Sequence, residues 1–308
     1  MASPHRRILA VVAVSLFPVA ATLAQPGQVF RASVETVVLD VAVSRGGTPV
    51  RGLSAKHFTI VDNGTPRPAE RVFHDSVPLS LVLCFDTSSS LGQEGLQRLR
   101  EAADGLLESL RPDDHVGLVT FAEAVDVRVQ PTTRHDDVRA ALRALSPQGP
   151  TAWRDALFVA SQLVEPTRST RSVVLLLTDG SDTSSWMSAT QNEEAMGRAG
   201  VVIHGIELDT RPAQRITTSN LAPPVITSAS PRMRRAVQAS GGRVWSAASD
   251  RELRRLFLEV LQELRDRYLV TYIPSEPVTA GWHKVEVRLN DTRGEVLARP
   301  GYWVSTEK

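Results

Sequence analysis

Cysteine is almost absent from this chain of 308 residues. Cys84 is the single thiol, so no disulfide can form within the chain and its core must hold by packing alone. It lies between Leu83 and Phe85 in an apolar run, the setting of a small hydrophobe rather than a nucleophile. An excess of one charge is also missing. The formal net charge of +1 leaves no basic surplus to neutralise phosphates, which argues against nucleic acid as a partner. Glycine and proline, 19 each, are too few for a disordered chain. With 42% hydrophobic and 22% charged residues this is ordinary globular material, long enough for about two domains. No Gly-rich loop ending in Lys-Ser/Thr cradles a phosphate, and no Gly-x-Ser-x-Gly elbow presents a nucleophilic serine.

Long apolar runs are confined to the start. Arg6 and Arg7 precede an apolar stretch from Ile8 to Ala21, and Thr22-Leu23-Ala24 offers small residues at the two positions a signal peptidase inspects. Pro18 and the shortness of the run, against roughly 20 residues for a spanning helix, favour an export signal over an uncleaved membrane anchor. Cleavage after Ala24 would remove two arginines and no acid, shifting the charge from +1 to −1. The mature chain is then expected to be periplasmic or secreted, without a transmembrane helix.

What the chain does contain is organised around Leu81-Val82-Leu83-Cys84-Phe85-Asp86-Thr87-Ser88-Ser89-Ser90. The apolar run is too short for an ordinary helix and reads as a strand buried on both faces. At its carboxyl end Asp86, Ser88 and Ser90 can turn their oxygens toward a common point. Val173-Val174-Leu175-Leu176-Leu177-Thr178-Asp179 is a second such strand, also ending in a carboxylate. Between them Gly149-Pro150-Thr151 precedes a helix carrying Asp155. From about Val77 to Arg267 strands alternate with helices, which predicts a mostly parallel sheet covered on both faces, with ligands at the carboxyl ends of its strands. Two carboxylates, Asp86 and Asp179, and three hydroxyls, Ser88, Ser90 and Thr151, can surround one hard divalent cation. Without the cation two adjacent buried carboxylates repel, and one takes a proton. With it, the neutral hydroxyls leave residual positive charge and open positions for an outside carboxylate.

The flanks are β in pattern. Val37, Leu39, Val41 and Val43 alternate with less apolar neighbours, Gly46-Gly47 marks a turn, and Phe58 to Val61 runs into the hairpin signal Asp62-Asn63-Gly64. Beyond the middle, Tyr268 to Ile273, His283 to Leu289 and Val296 to Val304 read as strands. Neither flank buries a face well alone. The expected organisation is therefore residues 1–24 as signal, 25–76 as the first half of a small β-sandwich-like domain, 77–267 as an inserted α/β domain, and 268–308 as the strands that complete the β-domain. The segment from about Arg211 to Pro231 has no period and reads as a long loop.

Asp86-Thr87-Ser88-Ser89-Ser90 resembles the DxSxS motif of von Willebrand factor A domains. Thr151 matches their threonine, and Thr178-Asp179-Gly180 their TDG; in that family these form the metal-ion-dependent adhesion site. Asp113 to Phe121 and Asp155-Ala156-Leu157 are similar to the A-domain core as well. Leu53 to Ile60, Leu264 to Tyr268 and Ala298 to Tyr302 resemble the exported bacterial VWFA-related proteins abundant in Acidobacteria. One departure is Pro150, where many A domains have a second glycine. The resemblance implies a Rossmann-like A domain with Ser88, Ser90 and Thr151 as hydroxyl ligands of Mg²⁺ (Mn²⁺ or Ca²⁺ being alternatives). Asp86 and Asp179 would act directly or through water, and Asp155 would support the site or cap its helix.

The function this implies is non-catalytic: a divalent-metal-dependent protein-binding module of the bacterial envelope, with the cation bridging to an Asp or Glu of the partner. A metal-dependent phosphohydrolase is the rival from another class. It would need a second acid two residues after Asp86, where Ser88 stands. A structural envelope protein with a vestigial site is the third reading.

Overall fold

A computed structural model describes residues 36–74, 77–164, 170–208, 230–247, 249–274 and 278–305. The predicted signal, residues 1–24, and most of the loop expected after Arg211 lie outside them. In chain order the elements are β1 (Val37–Arg45), β2 (Thr48–Pro49), β3 (Phe58–Asp62), β4 (Thr65–Pro68), β5 (Arg71–His74), β6 (Leu79–Asp86), α1 (Gly92–Glu108), β7 (His115–Phe121) and β8 (Val125–Thr132). There follow α2 (His135–Arg143), α3 (Trp153–Ser161), β9 (Arg171–Thr178), α4 (Ala189–Ala199), β10 (Val202–Leu208), α5 (Pro231–Ala239), β11 (Val244–Ala247) and α6 (Asp250–Asp266). The chain closes with β12 (Tyr268–Tyr272), β13 (Gly281–Leu289), β14 (Glu295–Ala298) and β15 (Gly301–Val304).

The two apolar runs become the middle of a six-stranded sheet of order β11-β10-β9-β6-β7-β8. All neighbours pair parallel except β8, which returns antiparallel to β7 as an edge. Side chains of a strand alternate between faces, so a strand covered on both must be apolar throughout. In β6, Leu79, Leu81, Leu83 and Phe85 pack with α1, α2 and α6 on one face, while Val82 and Cys84 pack with α3, α4 and α5 on the other. Burial raises the Cys84 thiol well above its ordinary pKa, which keeps it protonated and inert. The chain leaves β6 toward β7 and later returns on the opposite side as β9. The loops after β6 and β9 therefore diverge, leaving a crevice at the carboxyl edge.

Strands from both flanks share sheets. β1 pairs with β12 and β14, β12 with β5, and β13 with β3 and β15. Val37, Leu39, Val41 and Val43 face a core with Phe58, Ile60, Tyr268, Val270 and Tyr272. The β3–β4 turn has Asn63 at φ 46° and Gly64 at φ 86°, the two positive angles that a two-residue hairpin of right-twisted strands requires. Two sequence expectations need correction. The stretch from Val296 to Val304 is not one strand: Pro300, which lacks an N–H, divides it into β14 and β15 in different sheets. Pro231 does not belong to a loop but opens α5, where its missing N–H costs nothing at the first helical position. That helix escapes the sequence pattern because only Met233, Ala236 and Val237 are buried.

The junction between the parts is ionic and buried. Asp40 of β1 accepts from Arg171 Nε at 2.8 Å and from Arg267 Nε, and Arg171 also donates to the carbonyls of Leu264 and Arg267. Burial alone would raise the Asp40 pKa; the Arg267 and Arg171 guanidiniums outweigh it and hold the carboxyl below its ordinary range. Next along the chain, Asp266 is bonded to Arg51 at 2.7 Å, and the Tyr268 hydroxyl donates to Val50 O at 2.7 Å. Asp40→Ala would leave two buried guanidiniums facing each other. It is expected to lower the unfolding free energy by about 3–5 kcal/mol in urea denaturation.

Candidate metal centre

The carboxyl ends of β6 and β9 are level with each other, since Phe85 pairs with Leu177. Thr178 therefore stands beside Asp86, and its Oγ1 donates to Asp86 Oδ2 at 2.6 Å. Asp86 Oδ1 accepts the Ser88 N–H at 2.8 Å, a turn that bends the chain away from the strand axis. Ser88 Oγ lies 2.9 Å from Ser90 Oγ. Two other hydrogen bonds bring in the third stretch: Ser89 N–H to Gly149 O at 2.9 Å and Gln148 N–H to Thr87 O at 2.7 Å. Gly149 takes a φ of 60°, and Pro150 is accommodated beside it with Thr151 held by Thr183 Oγ1 at 3.0 Å. The stretches carrying Asp86, Ser88 and Ser90, then Thr151, then Asp179, are thus joined at one rim.

Asp86 and Ser88 are fully buried and Thr151 nearly so, whereas Asp179 is half-buried and Ser90 exposed. This makes a dry floor with an open mouth. The donor set suits a hard cation, being oxygen only with few negative charges. The separation of the two serine oxygens equals that of adjacent ligands around an octahedral Mg²⁺, about 3 Å for bonds of about 2.1 Å. Burial pushes the Asp86 carboxyl up to about 6; hydrogen bonds from Ser88 and Thr178 oppose this, and the charge of Asp179 adds to it. A carboxylate in this setting is one that a nearby positive charge would favour in its ionised form.

Both oxygens of Asp155 are engaged by backbone amides. It lies in the first turn of α3, and its two oxygens accept the N–H groups of Trp186 and Met187 at 2.8 and 2.9 Å. It therefore supports the loop after β9. Sequence reasoning missed that loop's second support. Asp182, almost buried, accepts from the Arg154 N–H at 3.0 Å and guanidinium at 2.7 Å, and from Ser185 Oγ at 2.7 Å. Gly180 has a φ of 87°, and a Cβ there would run into the Glu207 carboxylate of β10. Among the histidines, His204 lies buried with a pKa pushed down to about 3 by burial and then by Arg267, and its Nδ1 accepts from Arg243 N–H at 3.2 Å. His283 sits against Asp62 in the β core. Among the described residues no group of three or more His, Cys, Asp or Glu is placed to hold a metal.

Residues 81–181, the span holding Asp86, Ser88, Ser90, Thr151 and Asp179, match the family model of the von Willebrand factor type A domain. The chain carries a von Willebrand factor type A domain. A structure of a von Willebrand factor type A protein from Catenulispora acidiphila is similar in fold, with a TM-score of 0.51 and 13% identity over 90% of this chain and 74% of that one. Inter-alpha-trypsin inhibitor heavy chain H3 of Mesocricetus auratus is 31% identical over 34% of this chain and 13% of its own length. A UPF0353 protein of Mycobacterium ulcerans is 25% identical over 60% of each chain. The chain thus spans less than two thirds of the length of either sequence relative. Among the described residues of this A-domain protein, no helix is long and apolar enough to cross a membrane.

Two expectations follow from the A-domain rim. The Asp86 carboxyl has a higher pKa folded, about 6, than unfolded, about 3.9, so its contribution to stability is present below pH 4 and lost as pH rises through 6. In chelator, the unfolding free energy of wild type minus that of Asp86→Asn is expected to fall by on the order of 2–3 kcal/mol between about pH 4 and 7. Denaturant titrations at stepped pH read this; a flat difference would contradict it. Asp155→Ala removes the acceptor of two amides. Hydrogen exchange at Trp186 and Met187 should quicken by about tenfold or more, with the strand amides unchanged.

Proposed function

We propose that this A domain is a non-catalytic, divalent-metal-dependent protein-binding module, exported to the periplasm or secreted after cleavage near Ala24. The observation that carries the reading is the rim itself. A buried carboxylate with neutral hydrogen-bond donors stands beside paired serine hydroxyls, and a second acid and a threonine lie on stretches tied to the same place. Asp86, Ser88, Ser90, Thr151 and Asp179 would hold Mg²⁺, with Mn²⁺ or Ca²⁺ as substitutes. The bound ion would supply a Lewis-acidic centre with open positions for an Asp or Glu side chain of the partner. The chain's own part is to keep the floor dry through Asp86 and Thr178, to set the serine pair by the turn at Ser88, and to leave Ser90 and Asp179 at the mouth. Non-catalytic use is supported by what surrounds the rim: the sequence has Ser88 where a phosphohydrolase of this type needs a second acid, and Cys84 is locked in the core.

Calorimetric titration with Mg²⁺, Mn²⁺ and Ca²⁺ tests the ion. Saturation at a hundredfold excess over Kd is expected to add about 2.7 kcal/mol of stability, reversed by chelator. Asp179→Ala should abolish that gain and the Mg²⁺-dependent capture of a partner from envelope extract, with the fold unchanged by circular dichroism. Capture that persists in excess chelator would refute the reading, as would phosphatase turnover lost in Asp86→Asn.

A further inference from the structure

Among the described residues Trp186 is the most exposed large hydrophobic side chain, at 96%. An indole buries about 150–250 Å² when it finds a partner, so its full exposure forfeits a large apolar gain. The exposure does not come from a loose loop. Asp155 fixes the Trp186 and Met187 amides with both carboxylate oxygens. Asp182 ties the same segment to Arg154 and Ser185. Thr183 and Ser184 donate their N–H groups to Thr151 O at 2.8 and 3.0 Å, and Ser188 begins α4 with a reciprocal capping box to Gln191. The backbone beneath the indole is thus hydrogen-bonded on both sides, and the side chain alone projects.

This pinned segment adjoins the candidate cation site. Thr183 exchanges two hydrogen bonds with Thr151, and Trp186 follows Thr183 by three residues, which limits their Cα separation to about 11 Å. Phe158, 42% exposed, lies three residues after Asp155 and so on the same face of α3. The flank beside the rim is therefore aromatic, presented on fixed backbone, and next to a place that calls for a carboxylate. Tryptophan on preorganised backbone is the residue type that most often anchors a protein interface, because little ordering cost is left for binding.

We propose that Trp186 is the anchor of a second subsite, which takes an apolar side chain next to the acidic residue of a bound protein segment; this rests on the metal-bridged reading above. The segment recognised would carry Asp or Glu flanked by large apolar residues, the carboxylate going to the rim and the neighbour against the indole. A lipid surface fits less well, because the segment from Ser181 to Met187 contains Asp182 and no basic residue to meet anionic headgroups.

Two peptides test this with the full chain: acetyl-Gly-Phe-Asp-Phe-Gly-amide and acetyl-Gly-Ser-Asp-Ser-Gly-amide, titrated with and without Mg²⁺ by isothermal calorimetry into wild type and into Trp186→Ala. In Mg²⁺ the phenylalanine peptide is expected to bind at least about tenfold more tightly. In Trp186→Ala the two peptides should bind alike, while the Mg²⁺-induced rise in melting temperature stays at its wild-type value. Equal affinities in wild type, or a preference that survives in Trp186→Ala, would overturn the subsite and leave the metal reading standing. A preference that needs Trp186 but is indifferent to chelator would instead overturn the metal reading. No binding of either peptide at millimolar concentration overturns both. Sedimentation with phosphatidylcholine–phosphatidylglycerol vesicles, lost in Trp186→Ala, would make the indole a lipid anchor and overturn the proposal.

Discussion

A carboxylate taken out of water has to be compensated by something, and this protein does so in two ways. Asp40, Asp114 and Asp266 are each given an arginine, and each is held below its ordinary pKa despite burial. Asp86 is equally dry but is given hydroxyls and an amide, and its pKa climbs to about 6. The first arrangement is complete without any visitor and locks the parts of the fold together. The second has no arginine: it rests on neutral donors, and burial outweighs them. Around Asp86 stand the turn at Ser88, the level ends of β6 and β9, and the loop bonds that bring Thr151 alongside.

Much of this was legible in the amino-acid order because it depends on short-range pattern. Continuous apolar runs ending at Asp86 and Asp179 can be little else than central parallel strands, and the alternation of Val37 to Val43 matches a sheet with one covered face. What sequence could not give was set by partners far along the chain. α5 looks polar because only three of its side chains meet the sheet. The split at Pro300 follows from which sheet each half joins. Asp155 could be read as a capping or supporting acid, but that its two oxygens serve the amides of Trp186 and Met187 depends on a contact across 31 and 32 positions. The Arg154–Asp182 pair, partly buried beside the same loop, left no signal beyond two charged letters.

The loop after β9 therefore deserves to be seen as part of the scaffold rather than as a connector. Thr183 Oγ1 accepts from the Thr151 N–H, Ser185 Oγ from the Asp155 N–H, and Asp182 from Arg154. These bonds hold the backbone from within, while the Trp186 indole stays exposed. The same economy appears at Leu264-Arg265-Asp266-Arg267-Tyr268, where five successive residues each find a fixed partner as α6 passes into β12.

That passage has a mechanical corollary. The chain departs for the α/β fold at His74 and comes back at Tyr268, and these two residues face each other as a pair in adjacent antiparallel strands. Tension drawn on the flanking chain meets this clasp before it meets the central sheet. The hydrogen bonds between β5 and β12 must unzip first, from Thr271 and Arg71 toward Tyr268 and His74, so the rim around Asp86 is shielded from load for as long as the clasp holds.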